Sequence, residues 1–248
     1  MAALTPLLET VALTRTFGGL RAVSAVDFRL TQGEIRAIIG PNGAGKTTLV
    51  SMICGRIRPS SGRIVFRGRD ITGLPAHARV RLGIVYTFQV ISVFGRLSVY
   101  ENVALAAQRR LMRGPLDRRA LHGRAVAARV EAVLDEVGLR VATGVPAASL
   151  PYGHQRLLEI AMALALQPSV LVLDEPTQGL AAGEVAALGA LLRRIAREAT
   201  VLLIEHNMQV VLDLSRRVTV MDRGRIIAEG TPREIETNPE VQRVYLGL

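Results

Sequence analysis

The only lysine in the chain, Lys46, stands inside Gly40-Pro41-Asn42-Gly43-Ala44-Gly45-Lys46-Thr47. The apolar run Ile35–Ile39 before it predicts a strand, and Lys46–Ile57 after it predicts a helix. A glycine-rich turn in that context, with the spacing GxxxxGK followed by Ser or Thr, is the P-loop. Its backbone N–H groups cradle the α- and β-phosphates of a nucleotide, its lysine reaches the β- and γ-phosphates, and its hydroxyl binds Mg²⁺. Every other basic residue among the 31 Lys+Arg is an arginine. A guanidinium is a broad flat fork and an ammonium a compact point charge, so only the latter threads into a loop already holding a phosphate. Asn42, Gly43, Gly45, Lys46, Thr47 and Thr48 are therefore the nucleotide-binding candidates, with Thr47 also a metal ligand.

With 248 residues, 49% of them hydrophobic, the chain has ample material for the core of one large domain. Its longest unbroken apolar run, Ile160–Leu166, falls far short of the ~18–20 residues that span a bilayer. The N-terminal stretch has neither a basic start nor a continuous apolar segment, so no secretory signal is expected. One cysteine, Cys54, excludes an internal disulfide, suits a reducing compartment and reads as a small buried residue on a helix. The net charge of +10 fits nucleic acid, an anionic membrane surface or phosphates as partner, or arginine-rich composition with no partner at all. Only 4% of residues are aromatic and none interleave with a basic stripe, so no nucleic-acid partner is expected.

The first third predicts short strands at Val11–Phe17, Val26–Leu30, Ile35–Ile39 and Gly62–Arg67, a short helix at Pro75–Leu82 and a strand at Ile84–Gln89. From Ser98 the pattern turns helical. Val99, Val103, Ala106 and Leu111 precede a Gly114-Pro115 break, and an arginine- and alanine-rich helix is predicted from about Leu116 to Val137, closed by Gly138. The basic stretch from Arg109 to Arg129 reads as a solvated helix face, or as a contact with lipid headgroups beside a membrane partner. Strands at Val170–Leu173 and Thr200–Ile204 then alternate with helices at Glu184–Arg197 and up to about Leu214. Val218–Met221 and Arg225–Ala228, with Gly224 between, read as a hairpin. The predicted fold is α/β, a nucleotide-binding core interrupted by a helical insert at about residues 90–166, in a single domain over 1–248.

The strand Val170–Leu173 ends in Asp174-Glu175. A buried strand that delivers two acids at its C-terminal edge is the Walker B pattern, with Asp174 on the Mg²⁺ shell and Glu175 polarising the attacking water.

Between these motifs lies Leu150-Pro151-Tyr152-Gly153-His154-Gln155-Arg156, leading into a helix predicted over Leu157–Leu166. It resembles the signature motif of the ATP-binding subunits of ABC transporters, typically LSGGQ, with S-Y-G-Q-Q-like variants in importers of branched-chain amino acids. The resemblance implies a P-loop NTPase (RecA-like) core with an N-terminal antiparallel β subdomain and an inserted helical subdomain. It implies that Gln89, in Tyr86-Thr87-Phe88-Gln89, is the Q-loop glutamine and a Mg²⁺ ligand, and that His206, in Ile204-Glu205-His206-Asn207, is the switch histidine on the γ-phosphate. It places Phe17, in Arg15-Thr16-Phe17-Gly18, on the adenine ring, and Tyr152, Gly153, His154 and Gln155 on a nucleotide held by a second subunit. Singly, Gln89 could also be a strand-end polar residue, His206 a helix cap and Phe17 core; their order and spacing carry the resemblance. It spans essentially the whole chain. Residues 238–247 look like the ends of branched-chain amino acid importer ATPases and of the lipopolysaccharide-export ATPase, and Thr87-Phe88-Gln89 followed by Val90–Phe94 looks more like the importers.

Three positions depart from the family pattern. Pro151 stands for the signature serine, His154 for its glutamine, and Ala181 for the usual Asp or Asn of the D-loop. The resemblance implies ATP and Mg²⁺ as cofactors, with catalysis by Lys46, Glu175 and His206, and Mg²⁺ on Thr47, Gln89 and Asp174. It implies a second ABC ATPase subunit, a heterodimer being favoured over a homodimer because of Pro151 and Ala181. It also implies integral membrane permease subunits and a peripheral location at the cytoplasmic face of the cell membrane. The rival readings are a soluble ABC ATPase of assembly or repair, a lipopolysaccharide-export ATPase, and an ordinary P-loop kinase, which the signature and the context of Glu175 and His206 argue against.

Overall fold

The computed structural model describes residues 6–87, 89, 91–111 and 123–246. In chain order its strands are β1 (Leu8–Phe17), β2 (Leu20–Leu30), β3 (Ile35–Ile39), β4 (Ser61–Phe66), β5 (Arg69–Asp70), β6 (Ile84–Tyr86), β7 (Val170–Asp174), β8 (Thr200–Ile204), β9 (Arg217–Asp222) and β10 (Arg225–Gly230). The helices are α1 (Lys46–Ile53), α2 (Ala76–Leu82), α3 (Val99–Leu111), α4 (Arg124–Val137), α5 (Tyr152–Ala165), α6 (Ala182–Ile195), α7 (Met208–Leu214), α8 (Pro232–Glu236) and α9 (Pro239–Leu246).

An antiparallel sheet has the order β2-β1-β4-β5, and a second, six-stranded sheet the order β10-β9-β3-β8-β7-β6. Within the second, β9, β3, β8, β7 and β6 run parallel, and β10 returns antiparallel on β9. The central strands are apolar on both faces because both faces are covered. Val170 and Val172 of β7, with Leu202 and Ile204 of β8, pack against α1 and the antiparallel sheet. Leu171, Leu173, Val201 and Leu203 point the other way, into α5 and α6, a core that continues into α3 and α4. Fully burying one such side chain is worth roughly 1.5–3 kcal/mol, so the strand sequences dictate cover on both sides. Beside β9, Ala37 and Ile39 share a third cluster with Val218, Val220, Val211, Ile235 and Val241.

Several boundaries differ from the sequence expectation. β2 starts at Leu20 rather than Val26, since Gly18-Gly19 turns the chain and pairs Leu20 with Phe17. The helix after the P-loop stops at Ile53, not Ile57. Gly55 leaves it with φ +76°, and Arg79, reaching over from α2, donates to the carbonyls of Met52 (2.7 Å) and Ile53 (2.8 Å). Cys54 lies buried at that helix end, where burial pushes its thiol up to about 12 and keeps it unreactive. β6 ends at Tyr86, although the Thr87 N–H still donates to the Val172 carbonyl. α5 begins at Tyr152 rather than Leu157, with Pro151 as its N-cap, so the signature-like residues form its first turn. α6 is shifted to Ala182–Ile195. Val90, the Gly114-Pro115 break and the predicted helix start near Leu116 lie outside the described residues. In the basic stretch, Arg109 and Arg110 are exposed as expected, whereas Arg129 is half-buried and donates to the Leu164 carbonyl.

Candidate active site

The parallel strands β3, β8, β7 and β6 all end at one edge of their sheet, where ligands bind in open α/β folds. The P-loop leaves β3, His206 follows β8, Asp174 ends β7 with Glu175 next, and Gln89 lies just beyond β6. Residues far apart in the chain therefore converge because the strand order interleaves them.

The P-loop is a tight turn that only glycine permits. At Gly45, with φ +98°, a Cβ would lie 2.4 Å from the Ala22 carbonyl oxygen of β2. No side chain caps the N-terminus of α1 and no acid lies in its first turn, which leaves that end's N–H groups and positive dipole to an anion. Lys46 is buried. Its Nζ donates to the loop's own carbonyls, Gly40 at 2.8 Å and Pro41 at 3.0 Å. Burial lowers its pKa, while Glu175 and Asp174 nearby oppose that shift. Thr47 is exposed and Thr48 half-buried. The loop is tied to the antiparallel sheet through Gly224, whose N–H donates to Ala44 and whose carbonyl accepts from Ser24. That sheet carries Phe17, 42% exposed, with the Arg15 guanidinium 4.4 Å from its ring centroid. The alternative reading of Phe17 as a core side chain does not hold.

Asp174 is buried, and its Oδ2 accepts from the Tyr86 hydroxyl at 2.5 Å. Burial pushes its carboxyl up, the Tyr86 hydrogen bond pulls it partly back, and Glu175 adds to the rise. Burial, with the Asp174 hydrogen bond, likewise raises the Tyr86 phenol, over whose ring Arg56 lies at 4.9 Å. Glu175 has φ +48°, a left-handed conformation that costs a non-glycine residue roughly 1–3 kcal/mol. It is held there by its N–H, which donates to Ile204 at 2.9 Å. Its two carboxylate oxygens face two of the residues expected at the site: Gln89 Nε2 donates to Oε2 at 3.1 Å, and His206 Nδ1 lies 3.6 Å from Oε1. His206 is not a helix cap; Asn207 caps α7, accepting from the Val210 N–H.

Two buried groups here escaped the sequence reading. Glu205 accepts from the Thr177 hydroxyl at 2.5 Å, from the Thr177 N–H, and from the N–H groups of His206 and Asn207. It thus joins the segment after β7 to the segment carrying His206. Its signal was an acid closing the apolar run Thr200–Ile204, as Asp174 closes β7. The other is Arg156, which hydrogen-bonds the carbonyl of Gln89.

Tyr152, Gly153, His154 and Gln155 do not join this cluster. Gln155 donates to Leu150, Gly153 packs so closely on Glu184 that a Cβ would meet its Oε1 at 2.1 Å, and the Tyr152 ring lies against Gly179. Pro151 offers α5 no side-chain acceptor, and Ala181 N-caps α6 with its N–H donating to Glu184 at 2.8 Å. Tyr152 and His154 are exposed. Among the described residues no three His, Cys, Asp or Glu side chains form a metal cage. A hydroxyl and a buried carboxylate beside a phosphate loop suit an ion that keeps waters and phosphate oxygens as ligands.

A loop built to grip phosphates and a carboxylate poised beside it make sense together in an enzyme that cleaves a nucleotide's terminal phosphate: the chain is a P-loop nucleotide hydrolase. The family model described as ABC transporter matches residues 23–178, and one described as branched-chain amino acid ATP-binding cassette transporter matches residues 225–247. The chain belongs to the ABC transporter family, as one of its ATP-binding, ATP-hydrolysing cassettes. It is 40% identical, over 98% of both chains, to the high-affinity branched-chain amino acid transport ATP-binding protein LivG of Salmonella typhimurium. It is 36% identical, over 97% of both, to the lipopolysaccharide export system ATP-binding protein LptB of Acidithiobacillus ferridurans. A nucleotide-free ATP-binding cassette from an ABC transporter superposes with a TM-score of 0.88, at 28% identity, over 98% of this chain and 100% of that one. No helix among the described residues is long and apolar enough to cross a membrane.

Proposed function

We propose that this cassette hydrolyses ATP to power an importer of branched-chain or related amino acids. The observation that carries the reading is full-length likeness to LivG together with the match of residues 225–247 to the branched-chain amino acid cassette family.

On this reading Lys46 exchanges the carbonyls of Gly40 and Pro41 for phosphate oxygens, joined by the N–H groups at the start of α1. Asn42, Gly43, Gly45 and Thr48 line the same cradle, and Phe17 stacks on the base. Mg²⁺, held by Thr47, Gln89 and, through water, Asp174, would neutralise phosphate charge. Glu175 orients the attacking water and draws on its proton as the water oxygen bonds to the γ-phosphorus and the bond to ADP breaks. His206, already beside Glu175, contacts the γ-phosphate. Tyr152–Gln155, standing apart from this cluster, act on a second cassette's nucleotide. Because Pro151 and Ala181 lack the family's polar groups, a heterodimer fits better than a homodimer. The cassettes work at the cytoplasmic face of the cell membrane, bound to permease subunits.

The test is to purify the chain with its native partners and reconstitute the complex in vesicles. ATP-driven uptake of labelled leucine or a related amino acid is the expected result. Extraction of lipopolysaccharide without uptake would favour the LptB-like reading, and purification free of integral membrane proteins would favour a soluble ATPase.

A further inference from the structure

Arg156 is 1% exposed, on the first turns of α5 just past the signature-like residues. Its Nη1 pairs with Glu159 Oε2 at 2.7 Å, which anchors the guanidinium to its own helix. Its Nη2 leaves the helix and donates to the carbonyl of Gln89 at 3.0 Å, and reaches that of Glu175 at 3.4 Å. The side chains of those same two residues meet at 3.1 Å. A guanidinium is planar with its donors in a fixed fork, so the orientation set by Glu159 dictates where Nη2 points. A bond to a carbonyl fixes a peptide plane, and with it the point from which the side chain departs. That matters most at Glu175, whose backbone is in the left-handed region.

We propose that Arg156 is a positioning residue for hydrolysis: it ties α5 to the peptide groups of Gln89 and Glu175, so that placement of the water-orienting carboxylate follows the position of the helix that opens with Tyr152–Gln155. The proposal rests on the reading of Glu175 as the group that activates water. Its consequence is directional. When α5 shifts against the sheet, the fork either carries both peptides along or lets go of them, and hydrolysis proceeds in one position of α5 only. Nucleotide binding, whose main grip is the P-loop, changes little.

The test compares wild type with Arg156→Met, Arg156→Lys and Glu159→Gln by steady-state turnover and ATP titration of the complex purified with its native partners, the partner cassette's catalytic glutamate replaced, and by thermal unfolding of the chain. Arg156→Met is expected to lower kcat about 10- to 100-fold, the scale of a displacement on the order of 1 Å at a reacting group, with the Kd for ATP within about threefold of wild type. Arg156→Lys keeps the charge facing Glu159 but has no fork, and should recover thermal stability more fully than kcat. Glu159→Gln removes the charge but keeps an amide oxygen that still accepts from Nη1, so the fork stays oriented on both carbonyls and kcat should hold within about threefold even where its Tm falls. Wild-type kcat per folded molecule in Arg156→Met overturns the proposal, whatever its Tm. So does a kcat loss in Glu159→Gln as deep as in Arg156→Met, which assigns the effect to a buried charge pair. Should Arg156→Met not fold, Arg156→Lys decides: full kcat overturns the proposal, and reduced kcat at unchanged ATP affinity supports it. Glu175→Gln is run alongside, and undiminished turnover there overturns the reading of Glu175 itself.

Discussion

The phenol of Tyr86 donates to Asp174 across 2.5 Å, yet burial still wins and holds the Asp174 carboxyl above its ordinary range. An acid raised in the folded state keeps its proton where the unfolded chain has already released it. Its contribution to stability is therefore full below the unfolded value and is lost as pH rises through the folded one. Asp174→Asn, whose amide oxygen still accepts from Tyr86, should raise the Tm of the nucleotide-free chain near neutral pH. The gap to wild type should close as the pH falls toward about 4, the ordinary carboxylate range. Thermal melts of both proteins across pH check this; a gap that widens on acidification contradicts it.

Glu205 receives four donors and has none to give. Glu205→Gln places an amide where it must in part face other N–H groups. We expect a loss of about 1–3 kcal/mol in denaturant unfolding, the cost of buried donors left unpaired. The amide oxygen can stay on the N–H groups of His206 and Asn207 while its NH2 turns to the Thr177 hydroxyl, so turnover should fall less than stability. Unchanged stability and turnover would show that the Thr177–Glu205 link is dispensable.

Glu175→Gln keeps an oxygen able to accept from Gln89, so the local geometry survives while the charge goes. Loss of a positioned base typically costs about 10²–10⁴-fold, and we expect turnover to fall at least a hundredfold with ATP binding retained. Single-turnover hydrolysis and a binding titration separate the two effects.

Lys46→Arg is expected to fail earlier. Nζ sits buried between two carbonyls at 2.8 and 3.0 Å, a space shaped for a point charge. A guanidinium should weaken ATP binding by about tenfold or more, roughly 1.4 kcal/mol. Wild-type ATP affinity in equilibrium binding would remove the steric account of the chain's single lysine.

Pro151 and Ala181 both N-cap helices without a side-chain acceptor. Pro151→Ser should stabilise α5 by about 1 kcal/mol as a cap. Combined with Ala181→Asp in a mixed complex, it should raise turnover at the partner's site and leave this chain's own site nearly unchanged. The measurement uses the partner's catalytic glutamate intact and Glu175 replaced. An ATP-dependent homodimer of the wild-type chain with full, cooperative activity would sink the heterodimer reading.

The motifs that betray this cassette are local. A P-loop needs consecutive residues in one strand, turn and helix, and Asp174-Glu175 needs only a buried strand that stops, so both are written in short stretches of chain. Gln89 and His206 were legible by resemblance, being the polar residues that follow β6 and β8. What brings them onto the two oxygens of one carboxylate is the strand order β3-β8-β7-β6, which no short stretch encodes. The ends of helices are not written locally where a remote side chain decides them, as when Arg79 takes the last carbonyls of α1. Arginine hid the rest. In a chain whose basic residues are almost all arginine, Arg79 and Arg156 look in sequence like the exposed Arg109 and Arg110. Only packing distinguishes them, because a guanidinium tolerates burial when acceptors converge on its fork, four carbonyls at Arg79 and carbonyls with the Glu159 carboxylate at Arg156, and that convergence is complete only once distant segments have met.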